Sequence, residues 1–103
     1  MNWVLERSHE ARADLIDIWS YIAVDNLDAA DRQIDKIEAI FNRLCEYPRL
    51  GAERDDIADG LRGFVRGHYL VLYQLDESRR TVQIIRIIHR MPDLSALFGD
   101  ASR

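Results

Sequence analysis

The sequence predicts an α+β fold of order β-α-α-β-β-β, with a helical hairpin packed on a small, mainly antiparallel sheet. Three observations predict it. Between residues 8 and 46, apolar residues recur at helical spacing in two runs parted by a short polar break. Between residues 61 and 89, three runs rich in β-branched, aromatic and aliphatic residues are separated by turn signals. Pro48 and Gly51 stand between the two halves and stop the second helix.

Trp3-Val4-Leu5 is a short apolar stretch suited to an opening strand. Ser8 is placed to cap the first helix, and Glu10 puts a negative charge in its first turn, where the helix dipole favours one. Ala11, Leu15, Ile18, Trp19 and Ile22 then share one helical face. Asp25-Asn26-Leu27-Asp28 interrupts this pattern and offers Asn26 or Asp28 as the next cap. In the second helix Ala30, Ile34, Ile37, Phe41 and Leu44 form the apolar stripe, widened by Ile40 and Cys45. Arg32, Asp35, Lys36, Glu38 and Arg43 are expected on its outside. So short a connection folds the helices back as an antiparallel hairpin. Neither helix has enough heptads for a free coiled coil, so the apolar side needs a sheet to cover it.

The segment from Gly51 to Gly60 is expected to be an exposed loop. The strand candidates are Leu61–Val65, His68–Asp76 and Thr81–His89, with a tight turn at Gly67 and a hairpin loop over Asp76–Arg80. The last two strands are apolar on both faces, which suits the middle of a sheet. Arg90-Met91-Pro92-Asp93 ends the last strand, and Leu94–Phe98 is expected to form one closing helical turn.

At 103 residues the chain suits one domain spanning residues 1–103. No apolar run approaches the roughly 20 residues that cross a bilayer. The N-terminus lacks the basic and apolar regions of a signal peptide, and Cys45 is the only cysteine. Both features fit a reducing cytoplasm, where a lone cysteine in an apolar stripe is most simply a small buried residue. The net charge of −4 argues against a general nucleic-acid coat. It conceals an asymmetry: residues 1–60 hold fourteen Asp/Glu and seven Lys/Arg, whereas residues 61–103 hold four and seven. Either these are two solvated surfaces of different sign, or the basic half meets an acidic partner or a phosphate backbone.

Phosphate-loop, dinucleotide-binding and HExxH signatures are all absent from the sequence. His9, His68 and His89 lack metal-ligand spacing, and the carboxylates sit at helix-surface positions, so neither a metal nor a cofactor is expected. What remains is a constellation of Arg62, Arg66, His68, Arg86, His89 and Arg90. Arg62 and Arg66 lie on or beside one strand, four residues apart, and can share a face. Arg86 interrupts the apolar run Ile84–Ile88 and needs a reason to be there: it snorkels from a sheet edge, pairs with a carboxylate of the hairpin, or binds a partner. Trp19 continues a helical stripe and is expected to pack against the core. Trp3, Phe64 and Tyr73 are candidates to line a groove for a partner segment.

Five segments carry a family likeness. They are Asp14–Ile22 (DLIDIWSYI), Tyr47–Gly51 (YPRLG), Gly60–Phe64 (GLRGF), Tyr69–Tyr73 (YLVLY) and Ile84–Met91, which contains His89-Arg90. In this order, from about Leu5 to Phe98, they resemble the ParE branch of the ParE/RelE toxin superfamily. The resemblance implies a toxin that binds DNA gyrase, stalls it on cleaved DNA, and is neutralised in a hetero-oligomeric complex by a ParD-like antitoxin. RelE-type relatives instead cut mRNA on the ribosome. Such nucleases tend to supply lysines on the middle strands, an arginine before the Tyr-Gln pair and a C-terminal tyrosine. Here the only lysine is Lys36, Leu70 precedes Val71-Leu72-Tyr73-Gln74, and the C-terminal segment has Leu97 and Phe98.

The expectation is therefore a toxin without catalytic residues, acting by binding. The alternatives are an mRNA endonuclease helped by His89 and Arg90, or a nontoxic antitoxin-binding relative. Trp3, Arg62, Phe64, Arg66, Tyr73 and Arg86 are assigned to the antitoxin, whose acidic tail would suit the arginines. His89, Arg90, Leu94, Leu97 and Phe98 are assigned to the target. No membrane association and no sequence-specific nucleic-acid binding by the toxin by itself are expected. Charge reversal at Arg62 plus Arg66 is expected to weaken the antitoxin more than reversal at Arg32 plus Arg43.

Overall fold

The structure, a computed structural model, describes residues 2–89. The predicted closing turn over Leu94–Phe98, and with it Arg90 and Leu97, lies outside the described residues. Strand β1 (Val4–Arg7) leads into helix α1 (His9–Ala23), which turns through Val24–Asn26 into helix α2 (Leu27–Glu46). Strands β2 (Ala52–Glu53), β3 (Arg62–Arg66), β4 (Tyr69–Asp76) and β5 (Thr81–His89) follow. They form one five-stranded sheet in the order β1-β5-β4-β3-β2. All pairs are antiparallel except β1 with β5, where Val4 opposes Thr81 and Arg7 opposes Ile84.

Both predicted caps are present. The Ser8 hydroxyl accepts a hydrogen bond from the Ala11 N–H at 2.9 Å, and the Asn26 side chain accepts one from the Ala29 N–H at 2.9 Å. Each satisfies a backbone donor that the first helical turn leaves open. The hairpin lies over one face of the sheet. Ala11 and Leu15 of α1, with Ile37, Ile40, Phe41, Leu44 and Cys45 of α2, meet Tyr69, Val71, Tyr73, Val82, Ile84 and Ile87. Cys45 is buried in this core as a free thiol, and burial raises its pKa. Trp19 donates from its indole to Asp31 at 2.8 Å, tying α1 to α2.

The loop expected over Gly51–Gly60 is corrected in part: Ala52 and Glu53 pair with Gly63 and Arg62 as the edge strand β2. Two paired residues carry no periodicity, so only the register of β3 reveals them. The two strands that are apolar on both faces, β4 and β5, do occupy the middle of the sheet. A bulge at Ile85 sets Leu72 opposite Arg86 and Tyr73 opposite Ile84. The extra residue switches which β5 side chains face the helices, so Val82 and Ile84 point inward before it and Ile87 after it.

Candidate partner-binding site

The hairpin covers the sheet unevenly. Helix α1 packs on β5, and α2 packs on β1 and β5. Strand β3 lies two places beyond β5, so its helix-facing side is left open. Register puts Arg62, Phe64 and Arg66 on that side, because they oppose the inward residues Tyr73, Val71 and Tyr69. Along α2, residues Gln33, Lys36, Ile40 and Arg43 follow one another at helical spacing on the flank nearest β3.

Between α2 and the β3–β4 turn lies a groove of about 520 Å³. Ala39, Ile40 and Phe64 give it an apolar floor, while Lys36, Arg43, Arg66 and His68 stand around it. Lys36, Arg43 and Arg66 make no ion pair among the described residues, whereas Arg7, Arg49, Arg54, Arg62, Arg79 and Arg86 all do. The Arg43 guanidinium rests 5.6 Å from the centre of the Tyr47 ring, which holds it in place without neutralising it. Strand β2 pairs only with Arg62 and Gly63, so the outer edge of β3 from Phe64 to Arg66 has no strand partner among the described residues. The groove thus combines apolar burial, unneutralised positive charge and an open strand edge.

The arginines grouped by sequence have different surroundings. Arg66 lines the groove. Arg62, on the same face about 13 Å away along the strand, folds over the chain after α2. It donates to the Gly51 carbonyl at 2.7 Å, and its side chain is only 18% exposed. Arg86 shares the outer face with Leu72 but reaches around the sheet edge to α1. There Nε and Nη2 donate to the Asp14 carboxylate at 2.8 and 3.0 Å. The Ile87 N–H donates to the same carboxylate at 2.9 Å. Burial would raise the Asp14 pKa, but the hydrogen bonds from Arg86 and Ile87, with the arginine's charge, outweigh it and lower the pKa.

Of the predicted aromatic residues, Phe64 lines the groove and the other two do not. Tyr73 is fully buried, and its hydroxyl accepts from the Gly51 N–H at 2.8 Å and donates to the Pro48 carbonyl at 2.7 Å. A side chain enclosed in this way has no surface to offer a partner, which corrects its assignment to antitoxin binding. Burial raises its pKa, against the opposing influences of Gly51 and Arg62. Trp3 is also buried, with the guanidinium groups of Arg49 and Arg80 at 5.8 and 5.3 Å from its ring centre. That enclosure likewise leaves the Trp3 ring little to offer a groove. His89 is exposed at the end of β5. It stacks on Tyr69 with ring centres 5.0 Å apart and lies edge-on to His68 at 6.3 Å. Sequence reasoning missed Lys36, Ile40 and Arg43. Their spacing along α2 was readable, but which flank lies beside β3 was not.

A second, shallower hollow of about 380 Å³ lies between Ile18, Tyr21 and Ile22 of α1 and Tyr69 and His89 of the sheet, with Asp17 at its rim. Among the described residues no group of three or more His, Cys, Asp or Glu side chains is arranged to hold a metal ion. No helix among them is long and apolar enough to cross a membrane.

Comparison with known proteins gives this geometry a context. Residues 5–94 match the family model described as the ParE toxin of the type II toxin–antitoxin system parDE. Toxin ParE3 of Caulobacter vibrioides is 34% identical over 94 residues, covering 90% of this chain and 92% of that protein. Toxin ParE1 of Mycobacterium tuberculosis is 26% identical over 89 residues, with 84% and 89% covered. Among solved structures, a chain of the toxin–antitoxin complex RelBE2 from Mycobacterium tuberculosis superposes with a TM-score of 0.64 and 30% identity. That match covers 87% of this chain and all of that one. A chain of the chromosomal ParDE system from P. aeruginosa superposes with a TM-score of 0.70 at 22% identity, covering 86% and 97%. The isolated E. coli RelE toxin shares the fold at 14% identity, with a TM-score of 0.56 and 96% and 98% covered.

Proposed function

Because this chain belongs to the ParE toxin family of type II toxin–antitoxin systems, we propose that it acts in the cytoplasm by binding DNA gyrase and is held inactive by a ParD-like antitoxin. The observation that carries the antitoxin half of this reading is the groove over β3. A segment that orders on binding must recover its lost conformational entropy, and it does so best by burying apolar side chains in a preformed hollow. Ile40 and Phe64 supply the hollow. Lys36, Arg43 and Arg66 favour carboxylates along the segment, and the open edge of β3 accepts backbone hydrogen bonds if the segment arrives extended.

A binding mode of action agrees with the chemistry available. Cleavage of RNA requires cations fixed on a phosphate and groups that move the 2′-hydroxyl proton. The described strands contain no lysine, and Arg62 and Arg86 are engaged within the protein. Purified protein is expected to inhibit gyrase supercoiling and to raise the yield of cleaved DNA. It is expected to leave mRNA intact in the presence of ribosomes. A protein that cuts RNA and leaves gyrase unaffected overturns the proposal in favour of the nuclease. Induction without growth arrest would point to a nontoxic relative.

A further inference from the structure

The hollow between α1 and the end of the sheet has the opposite rim to the groove. It holds about 380 Å³, with Ile18, Ile22 and Tyr69 as its floor and Asp17, Tyr21 and His89 around its mouth. Asp17, Tyr21 and Val24 recur at intervals of four and three, so they share the flank of α1 that borders it. Tyr21 and Val24 are 74% and 84% exposed. Neighbours of this size form a patch, unlike the scattered single apolar residues ordinary on a surface. Asp14, one turn before Asp17, is neutralised by Arg86. Asp17 and Asp25 make no ion pair among the described residues. The hollow is therefore apolar and rimmed by acid, whereas the groove is apolar and rimmed by base. The two share a wall, because Tyr69, stacked on His89 with ring centres 5.0 Å apart, lines both.

We propose that this hollow holds the target, and that its occupant is a basic segment of gyrase carrying an arginine and a large apolar side chain. The proposal rests on the gyrase reading and adds to it the surface by which the enzyme is held. An acidic antitoxin segment suits the groove and is repelled by Asp17 and Asp25. An enzyme that holds DNA presents lysines and arginines where it meets phosphate, and such a surface complements the acid rim. The large side chain displaces water from Ile18, Ile22 and Tyr69. The guanidinium pairs with Asp17 and lies on the Tyr21 ring. His89, assigned to the target from sequence, stands at this mouth. The shared wall also gives the antitoxin a means of inactivation. A chain in the groove and a target in the hollow compete for the space around one ring, that of Tyr69.

The test is inhibition of gyrase supercoiling by the full chain, measured beside calorimetric binding of the cognate antitoxin. Asp17→Lys with Asp25→Lys reverses the rim, and Tyr21→Ser with Val24→Ser removes the exposed apolar surface. All four positions are exposed, and unfolding midpoints near that of the wild type verify the fold of each variant. Each double variant is expected to need roughly tenfold more protein for half-inhibition, with antitoxin affinity unchanged. A photoreactive residue at the same surface, Val24→benzoylphenylalanine, is expected to crosslink to purified gyrase. A wild type that leaves gyrase unaffected overturns the gyrase reading and this proposal with it. A wild type that inhibits, while either folded variant inhibits as well as it does, overturns this proposal alone. So does loss of antitoxin binding in the same variants, which puts both partners on one surface. A crosslink that runs only to residues 90–103 of the same chain also overturns it and makes that segment the occupant.

Discussion

Tyr73 shows how much a single hydroxyl can organise. It joins the end of α2 to the sheet by accepting from the Gly51 N–H and donating to the Pro48 carbonyl, both within 2.8 Å. Residue 51 must be glycine, because a Cβ there would stand 2.7 Å from the Tyr73 ring and hydroxyl. Tyr73→Phe strands a buried N–H and is expected to cost about 1–3 kcal/mol in urea unfolding. A change within error would mean that water replaces the hydroxyl. Asp14 makes a second prediction at this scale. Its pKa is lowered in the folded protein, so it adds stability above the ordinary aspartate range, and that stability is lost as pH falls through the folded value. The stability gap between the wild type and Asp14→Asn is expected to be constant near neutral pH and to close between about pH 5 and pH 2. A gap that persists in acid would assign the effect to packing.

The elements differ in how firmly they are tied to one another. Helix α2 has a cap that acts locally, since Asn26 serves only the Ala29 N–H, and Asn26→Ala is expected to cost about 1 kcal/mol. Ser8 caps α1 and also donates to the Ile85 carbonyl at 2.6 Å, so its hydroxyl joins the helix start to the bulge in β5. Ser8→Ala is therefore expected to lower the thermal midpoint more than Asn26→Ala does, and equal shifts would show that the bond to Ile85 adds nothing. Ser8 was legible as a cap in the sequence, and the second cap was narrowed to Asn26 or Asp28, because capping depends on a residue and the three that follow it. The bulge was not, because it is defined by what lies opposite on β4.

Across the whole molecule, charge is sorted by surface. The acidic hairpin tip and the basic groove are both exposed, while Arg7, Arg62 and Arg86 are turned to structural use. Arg7 holds Glu38 with two hydrogen bonds, at 2.9 and 2.7 Å, and lies over the Phe41 ring. This arrangement revises the comparison drawn from sequence, because Arg43 stands in the groove beside Arg66 and Arg62 is held by backbone carbonyls. Arg43→Glu with Arg66→Glu is expected to weaken binding of the cognate antitoxin roughly tenfold or more by calorimetry. Arg12→Glu with Arg32→Glu, on the outside of the hairpin, is expected to change it little. Equal losses would place the antitoxin elsewhere.

The sequence by itself determined the helical hairpin, its first cap at Ser8, the buried Cys45 and the interior positions of β4 and β5, and it narrowed the second cap to Asn26 or Asp28. Each follows from periodicity or from chemistry within a few residues. It also carried the family likeness, and it singled out Phe64, Arg66 and His68 among the groove residues. Tertiary structure decided the rest: the two-residue strand β2, the parallel closure of β1 on β5, the burial of Tyr73 and the commitment of Arg86 to Asp14. It also drew Lys36 and Arg43 into the site. The physical reason is common to all of these. An arginine four residues from another on a strand shares its face, but whether it stays available depends on which carboxylate or carbonyl the distant chain brings within 3 Å.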